Sequence, residues 1–129
     1  MKKGKAAGEY TLAPRFRIVS GAVIAFGPGK ADLLEALKET GSITLAASRL
    51  KMSYMRAWTL IRTMNQCFRE PLVIAIRGGM RGGGGARLTD TGHNVLASYR
   101  RIEEKGLEAT RPDWQKFQKL LKTESALKK

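Results

Sequence analysis

Residues Ser42–Asn65 read SITLAASRLKMSYMRAWTLIRTMN, and this stretch decides the fold. It describes two short helices with a tight break at Lys51-Met52-Ser53. In the first, Ile43, Ala46, Ala47 and Leu50 recur at i, i+3, i+4 and i+7, the spacing of one buried helical stripe. Ser53 is placed to cap the second, because its hydroxyl can accept a bond from an orphan backbone N–H of the first turn. At roughly 100° per residue, Ala57, Trp58, Ile61, Met64 and Phe68 gather on one side of that helix. Met55, Arg56, Thr59, Arg62, Thr63 and Gln66 gather on the other. The first side is read as core. The second is long, polar and basic, without an acid, and suits the major groove of DNA.

Outward from this stretch the charge is one-sided. The chain has 129 residues, enough for one modest core, with 24 Lys and Arg against 11 Asp and Glu and a formal net charge of +13. That balance implies a polyanionic partner, nucleic acid before an anionic membrane surface. Between Arg49 and Arg87 the basic residues are Arg49, Lys51, Arg56, Arg62, Arg69, Arg77, Arg81 and Arg87, against the single acid Glu70. All but Lys51 are arginine, whose planar fork fits phosphates and guanine edges. The lone cysteine, Cys67, excludes an internal disulfide framework and a cysteine-cluster zinc site. It lies near the apolar side of its helix and is read as a buried thiol. No apolar run approaches the ~18 residues of a membrane span. The basic start MKKGKAAGEY lacks the apolar core of a secretory signal. The reading is a cytoplasmic, nucleoid-associated protein.

Three domains of sequence are expected: a basic tail at 1–14, a DNA-binding domain with its linker helix at 15–107, and a C-terminal helix and tail at 108–129. Arg15–Val19 and Ala22–Phe26 suggest a short hairpin around Ser20-Gly21. Ala31–Thr40 predicts a helix with Asp32 in its first turn, Leu33, Leu34 and Leu37 on one face, and Gly41 closing it. With Ile43–Leu50 and Tyr54–Phe68 this makes the three-helix body of a helix-turn-helix domain. Leu72–Ile76 and Ala86–Thr89 read as strands joined by the glycine-arginine loop Arg77–Gly85, a wing whose glycines let the chain approach a phosphate backbone closely. A nucleotide-cradling loop is rejected, because no Lys-Ser or Lys-Thr ends the glycine run and a strand rather than a helix follows. Asp90 or Thr91 is expected to cap a fourth helix carrying Val95, Leu96, Tyr99 and Ile102. Gly106 and Arg111-Pro112 are expected to break the chain before a last helix, Asp113–Lys122, with Trp114, Phe117, Leu120 and Leu121. The fold class is thus mainly α with a small β wing, a winged helix-turn-helix with additional C-terminal helices. The apolar stripes of those helices need a partner, and a second copy is favoured over packing on the first helix.

No enzyme active site, metal pair or cofactor is proposed. His93 is the only histidine and reads as structural or solvent-facing. Glu35, Glu39, Glu103, Glu104 and Glu108 read as solvated faces. Trp58 could stack on a base, but its wheel position argues for core. Tyr54 is open to a phosphate contact or to packing. Base reading is assigned to Met55, Arg56, Thr59 and Arg62, and phosphate positioning to Arg49, Lys51, Ser53, Arg77, Arg81 and Arg87. Ser42, Thr44 and Tyr54 join them at the helix starts, and Gly79, Gly82 and Gly83 in the wing. The dimer surface is assigned to Leu96, Tyr99, Ile102, Trp114, Phe117 and Leu121. Two other readings are kept: a sequence-independent nucleoid or RNA binder, and an oxyanion binder using the glycine loop.

These residues also carry a family resemblance. LLEALKETGSIT at Leu33–Thr44, Ala46-Ala47, SYMRAWTLIRTMN at Ser53–Asn65, GGMRGGGGARLT at Gly78–Thr89 and Gly92 resemble the DNA-binding domain of the molybdate-responsive ModE-type transcriptional regulators. The likeness to the LysR-type N-terminal domain is more distant. The pattern S-Y-x-x-A-W-x-x-I-x-x-M-N is met at Ser53, Tyr54, Ala57, Trp58, Ile61, Met64 and Asn65. The resemblance covers about Arg15 to Leu107 and implies a winged helix-turn-helix that binds double-stranded DNA and dimerises through flanking helices. ModE-type regulators also carry a C-terminal molybdate-binding module. The forty residues after Thr89 look helical instead, so a stand-alone DNA-binding form is expected, with no molybdate bound by this chain's own domain.

Overall fold

The computed structural model describes residues 10–76 and 85–122. Its elements, in order, are β1 (Ile18–Ser20), β2 (Val23–Phe26), α1 (Pro28–Thr40), α2 (Ile43–Arg49), α3 (Tyr54–Cys67), β3 (Val73–Ile76), β4 (Gly85–Leu88) and α4 (Asp90–Gln118). The chain divides into two compact units, one of residues 15–101 and one of residues 1–14 with 102–129.

The 15–101 unit holds the winged helix-turn-helix. Its core is built from Leu33, Leu34 and Leu37 of α1, Ala46 and Ala47 of α2, and Ala57, Ile61 and Met64 of α3. Leu72, Val73, Ala86 and Leu88 close it from the wing side, and Phe26, Leu96 and Tyr99 from the other elements. Helix α1 starts three residues before the expected Ala31. Pro28 occupies its first turn, where a missing N–H costs nothing. Asp32 therefore falls outside that turn. Gly41 ends α1 in the left-handed conformation, φ 69°, with its N–H bonded to Leu37 O at 2.8 Å.

Two antiparallel two-stranded sheets flank the helices. In the first, β1 pairs with β2. In the second, β3 and β4 pair with Val73 opposite Leu88 and Ile76 opposite Gly85. The wing is tied to the helices from two sides. Ala86 N–H donates to Gly41 O at 3.1 Å, between α1 and α2. The Asn65 side chain, near the end of α3, accepts from Leu72 N–H at 2.8 Å and Val73 N–H at 3.2 Å. Its amide donates to Val73 O at 3.1 Å.

The cap of α4 is Thr89 rather than Asp90 or Thr91. Its hydroxyl accepts from Gly92 N–H at 2.9 Å and donates to Pro71 O at 2.8 Å, so one side chain starts the helix and holds the wing's base. Gly92 is dictated by space: a Cβ there would lie 2.2 Å from Leu72 O. Tyr99 and Leu96 are buried in this unit's own core. Tyr99 donates to Phe16 O at 2.7 Å and meets the Phe26 ring edge-on. This corrects their assignment to a dimer surface, because their apolar area is already covered by the same chain. Arg100 reaches back to α1, where Asp32 and Glu35 receive its guanidinium at 3.1 and 3.3 Å.

The unit that begins at Ile102 contains the rest of α4. The expected break is absent, and the helix runs through Gly106 and Pro112 to Gln118. Pro112 removes one intrahelical donor, to the carbonyl of Glu108. That residue is exposed, so its carbonyl is not stranded in an apolar interior. Here Ile102, Leu107, Phe117 and Leu120 are exposed, Trp114 and Leu121 half-buried, and the Trp114 and Phe117 rings lie 6.1 Å apart.

Candidate nucleic-acid interface

The site is the outer face of α3 with the turn that leads into it. Helix α2 is capped by Ser42, whose hydroxyl accepts from Leu45 N–H at 3.1 Å, and α3 by Ser53, which accepts from Arg56 N–H at 3.0 Å. Between them the chain reverses at Lys51, a non-glycine residue at φ 59°. Met52 N–H returns to Ala47 O at 3.0 Å and Lys51 N–H to Ser48 O at 3.1 Å. This is a Schellman closure with lysine where glycine is usual, and the left-handed backbone turns an exposed cation out of the corner.

Ala57, Ile61 and Met64 anchor α3 in the core, with Leu60 and Phe68 half-buried against it. The other side is open. Tyr54 is 48% exposed, Met55 64% and Trp58 38%, and Ser53, Arg56, Thr59, Arg62 and Gln66 are exposed with them. Tyr54 is thus surface rather than packing. Trp58 corrects the wheel reading, which placed it in the core. Its indole stands on the basic side, with the Arg62 guanidinium carbon 5.0 Å from the ring centroid. Thr63 is half-buried, its hydroxyl bonded back to Thr59 O at 2.9 Å. Cys67 is exposed as well, at the last residue of α3, and is not the buried thiol expected.

The structure brings Ser42, Thr44, Lys51, Ser53, Tyr54, Met55, Arg56, Thr59 and Arg62 to the α2–α3 hairpin. Arg49 lies there too, in an ion pair with Glu39 of α1. Among the described residues no carboxylate pairs with Arg56 or Arg62. Arg87 is exposed on β4. Arg77, Gly79, Arg81, Gly82 and Gly83 lie outside the described residues, as does most of the basic tail at 1–14. No group of three or more His, Cys, Asp or Glu is gathered for a metal among the described residues. None of the described helices is long and apolar enough to cross a membrane.

A serine-capped helix pair with an open basic face, braced by a two-stranded wing, defines a winged helix-turn-helix domain. Over residues 30–93 the chain matches the model of the bacterial regulatory helix-turn-helix protein, lysR family. Those residues thus form a lysR-type helix-turn-helix domain, and the chain is similar over this part to ModE-type proteins. It is 43% identical over 100 residues to the molybdenum transport protein ModE of Azotobacter vinelandii, covering 69% of this chain and 37% of that protein. To the molybdenum-pterin-binding protein MopB of Rhodobacter capsulatus it is 42% identical over 77 residues, 60% of this chain and 28% of that one. The DNA-binding transcriptional dual regulator ModE of Escherichia coli (strain K12) is 35% identical over 89 residues, 67% of this chain and 34% of the regulator. The chain thus spans roughly a third of the length of these relatives. Among solved structures, full-length CbnR complexed with its target DNA is similar at 25% identity and a TM-score of 0.50, over 68% of this chain and 28% of that one.

Proposed function

We propose that this chain is a sequence-specific DNA-binding transcriptional regulator that acts as a homodimer. The observation that carries this reading is the outer face of α3. Met55, Arg56, Trp58, Thr59 and Arg62 are all exposed on a helix whose opposite side is fixed in the core, in a domain of the lysR family. In the proposed complex that face enters the major groove. Arg56, Thr59, Met55 and Arg62 read base edges, and Lys51, the caps Ser42 and Ser53, Thr44, Tyr54 and Arg87 bind the flanking backbone. Each cap hydroxyl accepts a backbone N–H and keeps its own proton to donate to a phosphate. Arg49 would have to leave Glu39 to join them. The glycine loop 77–84 is assigned to the adjacent backbone from its sequence alone.

The homodimer is proposed from the exposed Ile102, Leu107 and Phe117 of α4 and Leu120 just after it, with the half-buried Trp114 and Leu121 of the same stretch. A two-fold pair would present two recognition helices about one DNA turn apart. Kinship with molybdenum-named proteins makes molybdenum handling the proposed setting of the target genes.

The test is selection from a pool of random duplex DNA at ~150 mM salt, where non-specific electrostatic binding fades. A palindrome with half-sites about 10 bp apart is expected. Retention of every sequence alike, with binding lost as salt rises, would instead identify a sequence-independent binder drawn by the net charge of +13.

A further inference from the structure

The geometry points to Trp58 as the positioning residue of the recognition face: its indole holds the Arg62 guanidinium ready for a guanine. This rests on the function proposed above and adds to it a residue and a division of labour. Trp58 and Arg62 lie four residues apart on α3, so their side chains are neighbours on one helical face. The guanidinium carbon lies 5.0 Å from the ring centroid, within the range of a cation–π contact. Trp58 is more than a third exposed although it sits on a helix whose core side is filled by Ala57, Ile61 and Met64. A large apolar ring left at the surface beside an arginine, on the face that carries Met55 and Thr59, is placed to serve the arginine rather than the core.

The physical consequence is preorganisation. A free arginine has several rotatable bonds, and ordering them on binding subtracts from affinity. A guanidinium held against an indole has lost part of that freedom already. A ring that meets one face of the planar group would leave free its N–H edge, which makes the bidentate contact to guanine O6 and N7. Arg56, on the same face, has no such ring contact among the described residues, so the two arginines have different duties. Arg62 reads one G·C pair rigidly, and Arg56 adapts.

The experiment uses the full chain and the duplex recovered by selection, with every single-base change at each position of the half-site. Arg62→Ala is expected to abolish the preference at one G·C pair. Trp58→Ala should weaken the preference at that same pair about fivefold or more and leave the other positions and the salt slope unchanged. Trp58→Phe, which keeps a ring, should restore most of it. Trp58→Ala combined with Arg62→Ala should be no worse than Arg62→Ala alone, because the indole would act only through the guanidinium. In the free protein the Arg62 Nε–H proton should carry a ring-current shift that Trp58→Ala removes. Loss of preference at a different base pair, or full additivity of the two changes, would show that Trp58 touches DNA itself and overturn the positioning role. An unchanged preference in a folded Trp58→Ala protein would overturn it as well. A wild-type chain without any base preference would bring down the regulator reading and this one together. A wild-type motif that survives Trp58→Ala brings down only this one.

Discussion

The two sides of α3 are built on opposite principles. Behind the helix, polar groups are satisfied and space is exhausted. Asn65 holds the first two residues of the wing's inner arm through three hydrogen bonds. Gly92 leaves no room for a methyl group, and Thr89 bonds in two directions at once. In front, Arg56 has no carboxylate partner among the described residues, Lys51 sits in a backbone region that costs energy, and Trp58 is left in the open. The rear is held in one arrangement by packing and hydrogen bonds, and the front leaves its charged and aromatic groups open to solvent. Stability and recognition are therefore separable by mutation here, across a single helix.

The largest expected effect lies behind. Gly92→Ala forces a Cβ against the Leu72 carbonyl and should destabilise the fold by about 3 kcal/mol in denaturant titration. A stability equal to wild type would mean that the α4 start and the wing are not in contact as described. Asn65→Ala removes the partner of two backbone N–H groups at once, and a loss of about 2 kcal/mol is expected. Asn65→Asp, which keeps the acceptor, should lose less. On the front, Arg56→Ala should leave the melting temperature within the scatter of surface changes yet cost about 1.5 kcal/mol at the selected site and relax its specificity. A drop in stability equal to the drop in binding would erase the division between the two sides. The smallest effect sharpens it. Lys51→Gly relieves the φ of 59° and should raise stability by about 1 kcal/mol, while weakening all duplexes evenly and lowering the salt slope by about one.

The α2–α3 hairpin was legible because its signals are local: two serines ahead of apolar stripes, and a core of small residues at helical spacing. Trp58 was misread for a geometric reason. Taking the direction of Ala57, Ile61 and Met64 as the centre, at about 100° per residue, Trp58 lies about 95° away on one flank and Leu60 about 65° away on the other, both at the margin of the buried face. Periodicity alone cannot say which flank a neighbour covers. The structure covers Leu60 and leaves Trp58 out. The i, i+4 spacing of Trp58 and Arg62 was the available signal. Tyr99 and Leu96 were misassigned for a related reason, since an apolar stripe does not name its partner. Leu96 is buried in its own unit's core, and the partners of Tyr99 are Phe26 of β2 and the Phe16 carbonyl just before β1. The continuity of α4 through Pro112 was hidden because a proline rule written for buried or average helices overstates the break in an exposed one.

The bond from Tyr99 to Phe16 joins residues 83 positions apart, whereas the serine caps and the Asn65 contacts span three to eight. Closing a long loop costs more chain entropy than closing a short one. The helix pair and the wing base can therefore assemble early from local segments, and the N-terminal hairpin docks last, against a body already formed. In the native protein the same ordering runs backwards. Amide protons of Ile18–Phe26 should exchange with solvent through a partial opening that leaves α2 and α3 protected, so the domain sheds its N-terminal arm before it gives up α3.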